Sequence, residues 1–323
     1  MSSKINVGVL RGGPSSEYYV SLNTGASVLK HLPEKYSPRD ILISKDGLWH
    51  LDGFEKGPER ILHGVDVIWN AMHGQYGEDG TVQSYLKNFG VKYTGSEVLP
   101  SAMAMNKLFA KDILAKEGIQ TPAVVSIRSS DNLEDKLIEV FERIHPPFIV
   151  KPLSLGSSIG VSMASDFAKL ASFVSALFPL SECVLVEEYI SGKEATCGVI
   201  DHFRGREIYS LPPVEIRPSE GSEFFDFNAK YSGGSSEICP GNFSGEEKRQ
   251  IEKTAALAHK LLGLRHYSRS DFIVSPEKGI YFLEVNTLPG LTEESLLPKS
   301  LEAIGCSMPD FLDHVLTLAL DRD

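Results

Sequence analysis

Cysteine is scarce and scattered: Cys183, Cys197, Cys239 and Cys306 form no Cys-x-x-Cys pair and no spacing suited to a metal site. Cys183 and Cys197 sit in apolar, strand-like runs, where buried free thiols are common, and the pattern suits a reducing cytoplasm. Long apolar runs are missing too. None approaches the ~20 residues that span a bilayer. The N-terminus offers only residues 5–10 as an apolar run before Arg11, which reads as a first strand and not as a secretory leader. An excess of positive charge is also lacking. A net charge of −11 argues against a protein that grips nucleic acid mainly through phosphates, while local lysines and arginines can still build an anion site. There is no internal repeat and no low-complexity segment. The expectation is a soluble, cytoplasmic protein with no membrane or nucleic-acid partner.

What is present fits a globular chain of two or three domains, since 323 residues with 42% hydrophobic and 23% charged content can bury a sizeable core. Strand patterns over 5–10 and 65–70 each run into a Gly-rich loop, and helical spacing follows over 22–32 and 81–88. Alternation of this kind predicts a parallel sheet covered on both faces, with ligands at the carboxyl ends of its strands. A helix is expected over 101–118, ending at Gly118, with a first boundary near 100–105. Strands follow over 123–127, 148–151, 161–163 and 183–189, separated by helices over 133–143 and 167–178. Strands over 195–200 and 207–211 precede an irregular polar stretch, 217–242, too long for a plain connector and therefore functional in aspect. Helices over 245–262 and 308–320 flank a hairpin.

That hairpin carries the clearest chemistry. Apolar runs flank the turn cluster Ser275, Pro276, Glu277, Lys278 and Gly279, so Asp271 falls roughly opposite Glu284. Side chains alternate along strands, which sets Arg269, Asp271, Glu284 and Asn286 on one face. Opposed like charges destabilise a sheet unless neutralised; a hard divalent cation with oxygen ligands would do so, and water over an exposed face is the alternative. Lys151 follows a strand and precedes Gly156, Ser157, Ser158 and Gly160, a loop whose N–H groups can cradle phosphate or simply make a tight turn. It is not a Walker A sequence. Glu187, Glu188 and Tyr189 turn an apolar strand abruptly acidic, either as acceptors for a nucleotide or as an exposed strand end.

Taken in order, these pieces are more specific. Gly12, Gly13, Pro14, Ser15, Ser16 and Glu17 are followed by His73-Gly74 and by Gly77, Glu78, Asp79, Gly80 and Thr81. Tyr93-Thr94-Gly95-Ser96, Asn106-Lys107, Lys151-Pro152 and Ala229-Lys230-Tyr231 come next, and the hairpin runs into Thr287, Leu288, Pro289, Gly290, Leu291 and Thr292. The set resembles the ATP-grasp superfamily and, within it, the D-alanine–D-alanine ligase family, from Gly12 to about Pro298. The resemblance implies an α/β (α+β) ATP-grasp fold: a Rossmann-like parallel-sheet domain over 1–104, a central subdomain over 105–192, and a C-terminal subdomain over 193–323 with 217–242 as active-site lid.

The implied reaction joins two D-alanines at the expense of ATP, through a D-alanyl phosphate, for peptidoglycan synthesis. The resemblance gives Asp271, Glu284 and Asn286 two Mg²⁺ ions, which Mn²⁺ can replace. It gives Lys107 and Lys151 the α/β-phosphates, Lys230 the γ-phosphate, and Ser158 a further ATP contact. Arg269 and the Gly290 N–H would face the oxyanion, a role suited to a permanently charged fork and a fixed dipole. Glu17 would take the first D-alanine's ammonium, with His73 nearby; Ser295 and the Leu296 N–H would take the second D-alanine's carboxylate. Ser157 and Tyr231 would join Glu17 in a hydrogen-bonded triad that closes two loops and excludes water. Ile149, Tyr189, Phe224 and Leu283 would line the adenine pocket, with Glu187 and Glu194 near its amino group and the ribose. A homodimer is implied as well.

Tyr231 favours the dipeptide over an ester product, since D-lactate-using relatives often carry Phe there. Two positions depart from the pattern: Tyr18-Tyr19 after Glu17, and Glu188 where several relatives have Lys. The rival readings are an ATP-grasp ligase using D-serine or D-lactate, and a nucleotide-binding protein without turnover. An oxidoreductase lacks support, because the Gly12-Gly13 loop is not GxGxxG.

Overall fold

A computed structural model describes residues 4–156, 159–218 and 235–321. The first sheet is built on β1 (Ile5–Gly12), with β2 (Tyr36–Ile43) and β5 (Val67–Asn70) parallel on either side. β6 (Lys92–Tyr93) extends it in parallel, while β3 (Trp49–Leu51) and β4 (Phe54–Glu55) close the other edge antiparallel. The expected parallel sheet therefore forms its middle and one side only. The buried middles of its central strands, residues 7–10 and 67–69, carry no polar side chain because both faces are covered. Val7, Val9, Val67 and Trp69 pack on α1 (Tyr18–His31) and α10 (Met308–Leu320); Leu10, Ile41 and Ile68 pack on α2 (Pro58–Leu62) and α3 (Thr81–Asn88).

The helix expected over 101–118 is two helices, α4 (Val98–Met105) and α5 (Lys107–Lys116). Asn106 breaks it: its ψ of 97° is extended, and its side chain accepts from the Phe109 N–H at 3.0 Å. An N-cap of this kind starts a fresh helix. It makes Lys107 the first residue of α5, aimed at the hairpin.

Two antiparallel sheets follow. β7 (Val124–Arg128), β8 (Phe148–Pro152), β9 (Ser162–Ala164) and β10 (Cys183–Glu188) assemble in the order β7-β10-β8-β9. One face buries against α6 (Leu133–Arg143) and α7 (Phe167–Leu177). The last sheet holds β11 (Lys193–Asp201), β12 (Ile208–Ser210), β13 (Val214–Pro218), β14 (Ser235–Ile238), β15 (Tyr267–Ser275) and β16 (Gly279–Asn286), backed by α8 (Gly245–Leu261). A capping box fixes the start of α8: Ser244 Oγ accepts from the Glu247 N–H, and Glu247 returns a carboxylate to the Ser244 N–H. The polar stretch 217–242 is thus not irregular at its ends, where β13 and β14 pair. α9 (Leu296–Ala303) follows the hairpin. Among the described residues no helix is long and apolar enough to cross a membrane.

Candidate active site

The β15–β16 register sets Arg269 opposite Asn286 and Asp271 opposite Glu284. A bulge makes this possible. Past Asp271 the pairing shifts so that Phe272 opposes Phe282, leaving Leu283 as the unmatched residue. A one-residue slip exchanges the two faces of a strand, so if Leu283 paired with Asp271 instead of bulging, Glu284 would turn to the other face. Arg269 forks onto Asp271, Nε to Oδ1 and Nη2 to Oδ2, each at 2.9 Å. Asn286 Nδ2 donates to Asp271 Oδ2 at 3.2 Å. Lys107 Nζ lies 3.3 Å from Glu284 Oε2 and donates to the Leu155 carbonyl at 2.7 Å.

A second charge group lies across β8 and β10. Ile149 opposes Glu187 and Lys151 opposes Leu185, so Ile149, Lys151 and Glu187 share a face. Glu187 is 2% exposed, and its two oxygens each hold a lysine: Lys151 at 3.0 Å, and Lys111 of α5. It is placed as the anion of a buried trio instead of an open acceptor. Burial brings Lys111 down to about 8, against the pull of Glu187. Burial also opposes ionisation of Glu187, but the two lysines outweigh it and hold the carboxyl below its ordinary value. Sequence reasoning passed over Lys111. Its signal was there: four residues after Lys107, it lies on the same helix face. Leu283 joins Ile190, Ile273 and Tyr281 in a small apolar cluster apart from the larger cores. Tyr189 follows β10, and Glu194 lies near the start of β11 opposite Ile273.

At the far end of the hairpin, Glu17 precedes α1 and is buried. A Cβ on Gly74 or on Gly156 would fall 2.6 Å from Glu17 Oε2, so both loops close on that carboxylate only because they carry glycine. His73 Nε2 lies 2.8 Å from Thr24 Oγ1, and burial, then the charge of Arg269, lowers the imidazole to about 4. A Cβ on Gly290 would meet Ser295 Oγ at 2.7 Å, and that hydroxyl also lies 2.8 Å from Thr292 Oγ1. Leu296 is the first residue of α9, where N–H groups have no intrahelical acceptor. Ser157, Ser158, Phe224, Lys230 and Tyr231 lie outside the described residues. The two departures have partners of their own. Lys45 Nζ sits 5.1 and 4.5 Å above the rings of Tyr18 and Tyr19, and Lys278 pairs with Glu188 at 2.7 Å.

Among the described residues no three His, Cys, Asp or Glu side chains gather as a metal cage. Asp271, Glu284 and Asn286 nevertheless offer three oxygen donors on one hairpin face, a hard donor set that suits Mg²⁺ shared with phosphates. Arg269 and Lys107 balance the two carboxylates here.

Two buried imidazoles give the fold an acid limit. His73 and His266 fall from 6.5 to about 4, both chiefly through burial, so the unfolded chain protonates each before the folded one does. Glu78 acts in the opposite sense, because burial and then Glu17 raise it from 4.5 to about 7. Between pH 6.5 and 4.5 the two histidines outweigh the one carboxyl by about one proton, worth roughly 1.4 kcal/mol per pH unit. Urea unfolding should therefore show about 2–3 kcal/mol less stability at pH 4.5 than at pH 6.5. A flat profile would mean that the imidazoles are not held neutral.

Two antiparallel sheets, one bearing Lys151 and Glu187 and the other the acidic hairpin, with α5 lysines reaching a carboxylate of each, define an ATP-grasp protein. Residues 113–317 match the family described as D-ala D-ala ligase C-terminus, and residues 52–96 match D-ala D-ala ligase N-terminus. The D-alanine–D-alanine ligase of Clostridium beijerinckii is 36% identical over 316 residues, 97% of each chain. That of Geobacter sulfurreducens is 37% identical, over 97% of this chain and 93% of its own. Among solved structures, the VanG D-Ala:D-Ser ligase from Enterococcus faecalis superposes with a TM-score of 0.85 at 28% identity, over 98% of this chain and 100% of its own. The Bacillus anthracis D-alanine–D-alanine ligase complexed with ATP gives 0.79 at 33% identity, over 98% and 97%. The chain belongs to the D-alanine–D-alanine ligase family.

Proposed function

We infer that this chain ligates two D-alanines at the expense of ATP, supplying D-alanyl-D-alanine for peptidoglycan. The observation that carries the reading is the hairpin register, which sets Asp271 against Glu284 beside Arg269 and Lys107. The carboxylate of the first D-alanine attacks the γ-phosphorus, and the bond to ADP breaks. The amine of the second attacks the acyl carbon; phosphate departs, and the nitrogen loses its proton. Glu17, buried among glycines, takes the first ammonium, with His73 beside it as a neutral imidazole. Ser295 and the Leu296 N–H take the second carboxylate, where a helix N-terminus favours an anion. Arg269 and the Gly290 N–H meet the charge that develops on the acyl oxygen.

Lys107 and Lys151 hold the α/β-phosphates, and Lys230 and Ser158 continue that contact. Ile149, Tyr189, Phe224 and Leu283 pack the adenine, with Glu194 toward its amino group and ribose; Glu187, expected there as well, acts on the site through Lys151, which it holds. Bound Mg²⁺ at Asp271, Glu284 and Asn286, or Mn²⁺ in its place, supplies neutralisation of the triphosphate. Ser157 and Tyr231 close over Glu17. The working unit is a cytoplasmic homodimer built from domains over 1–104, 105–192 and 193–323, with 217–242 as the lid.

The similarity to a D-Ala:D-Ser ligase makes D-serine the second acceptor to weigh. Phosphate release with D-alanine alone, and then with D-serine or D-lactate added, separates these. Dipeptide from D-alanine alone is the expected result. ATP binding without phosphate release for any pair would overturn the reading.

A further inference from the structure

We propose that Glu78 is a positioning residue for the ligation, its carboxylate clasping the loop that carries His73 and Gly74 to the loop that leads into Gly290. The inference rests on the ligase reading for its kinetic consequence, though not for its geometry. Glu78 Oε2 accepts from the Gly74 N–H at 2.8 Å. Glu78 Oε1 accepts from the Leu288 N–H at 3.0 Å and from Thr287 Oγ1 at 3.3 Å. One carboxylate thus satisfies donors more than two hundred residues apart in sequence, at the seam between the first sheet and the hairpin. Each side of the seam carries site residues. Gly74 abuts Glu17, and His73 also reaches the Leu288 backbone; two residues past Leu288 comes Gly290 against Ser295. The clasp therefore fixes the spacing between the ammonium site of the first D-alanine and the oxyanion site.

A carboxylate is suited to this task and its amide is not. Both oxygens face donors, so Gln can accept on one side only and must turn its NH₂ toward an N–H on the other. Asp keeps the charge but loses a methylene, and cannot span both loops. Burial, then the nearby charge of Glu17, disfavours the ionised form of Glu78, while its three donors favour it. An arrangement that places two carboxyls so close carries a cost the fold retains.

Glu78→Gln and Glu78→Asp in the full chain test the proposal by two readouts. With ATP and D-alanine, both variants should lose about tenfold to a hundredfold in kcat/KM for D-alanine, with the KM for ATP within about twofold of wild type. By hydrogen exchange without substrates, the Gly74 and Leu288 amides should lose protection in Glu78→Gln, while amides of β8 and β10 keep theirs. Wild-type behaviour of Glu78→Asp would show that charge, not reach, is what matters and would overturn the clasp. So would equal losses for D-alanine and ATP, or unchanged exchange at both amides. If the wild-type chain fails to turn over D-alanine, the ligase reading falls. The exchange result still decides the clasp in that event.

Discussion

Glu284→Gln should leave a folded chain whose ATP-dependent dipeptide formation has fallen by about a thousandfold or more, as expected when a metal ligand facing phosphates loses its charge. The side chain keeps its shape, and the position is partly open, with Glu284 26% exposed against 9% for Lys107. What disappears is one of the two carboxylates on the hairpin face. Lys107 keeps the Leu155 carbonyl as a partner, so the cost in stability should stay near 1 kcal/mol. Phosphate release, followed against Mg²⁺ concentration in parallel with urea unfolding, checks both halves. Turnover like wild type would remove Glu284 from the phosphate site. Loss of activity through loss of fold would show up in the unfolding curve.

Glu187→Gln should have the larger effect on the fold. Glu187 is the sole anion of the Lys111–Glu187–Lys151 trio, and all three side chains are buried. Breaking a buried pair strands the remaining charge, at about 3–5 kcal/mol. Lys111→Met should cost less, because Glu187 retains Lys151. The double variant should lose less than the sum of the two singles, since contacting residues are coupled. Denaturant unfolding of the three variants gives the coupling directly. A Glu187→Gln chain within about 1 kcal/mol of wild type would mean that the lysines find other partners or shed their protons.

Much of this site was legible because its chemistry follows strand periodicity. The one-face set of Arg269, Asp271, Glu284 and Asn286 was read from alternation and an approximate turn centre; the register bears out the face, through a bulge at Leu283 that periodicity does not show. Helices over 81–88, 133–143 and 308–320 were readable to the residue, where turn signals or N-caps such as Asn132 and Ser307 bound an amphipathic run. Other features depend on tertiary context. β2 carries Pro38, which argues against a strand, yet β3 pairs only with Ile41–Ile43 and leaves Pro38 on an open stretch of edge. The break at Asn106 was hidden within a continuous run of good helix formers. Glu187 looked like an exposed strand end because the sequence does not show which lysines close over it. Glu78 stood inside a recognised motif without a role, since its partners lie at Thr287 and Leu288.

The bulge at Leu283 makes the hairpin's function a matter of counting as well as of composition. Between the turn and the bulge, residues pair as the turn dictates; beyond it, they pair as Leu283 dictates. A lineage could exchange many of the apolar residues in this hairpin and keep its acidic face. Regular pairing of the residues as they stand would instead set Leu283 opposite Asp271 and turn Glu284 and Asn286 toward the other face of the sheet, with every ligand still present by name. Divergence in this stretch is therefore constrained by whether Leu283 bulges more than by which apolar residues surround it.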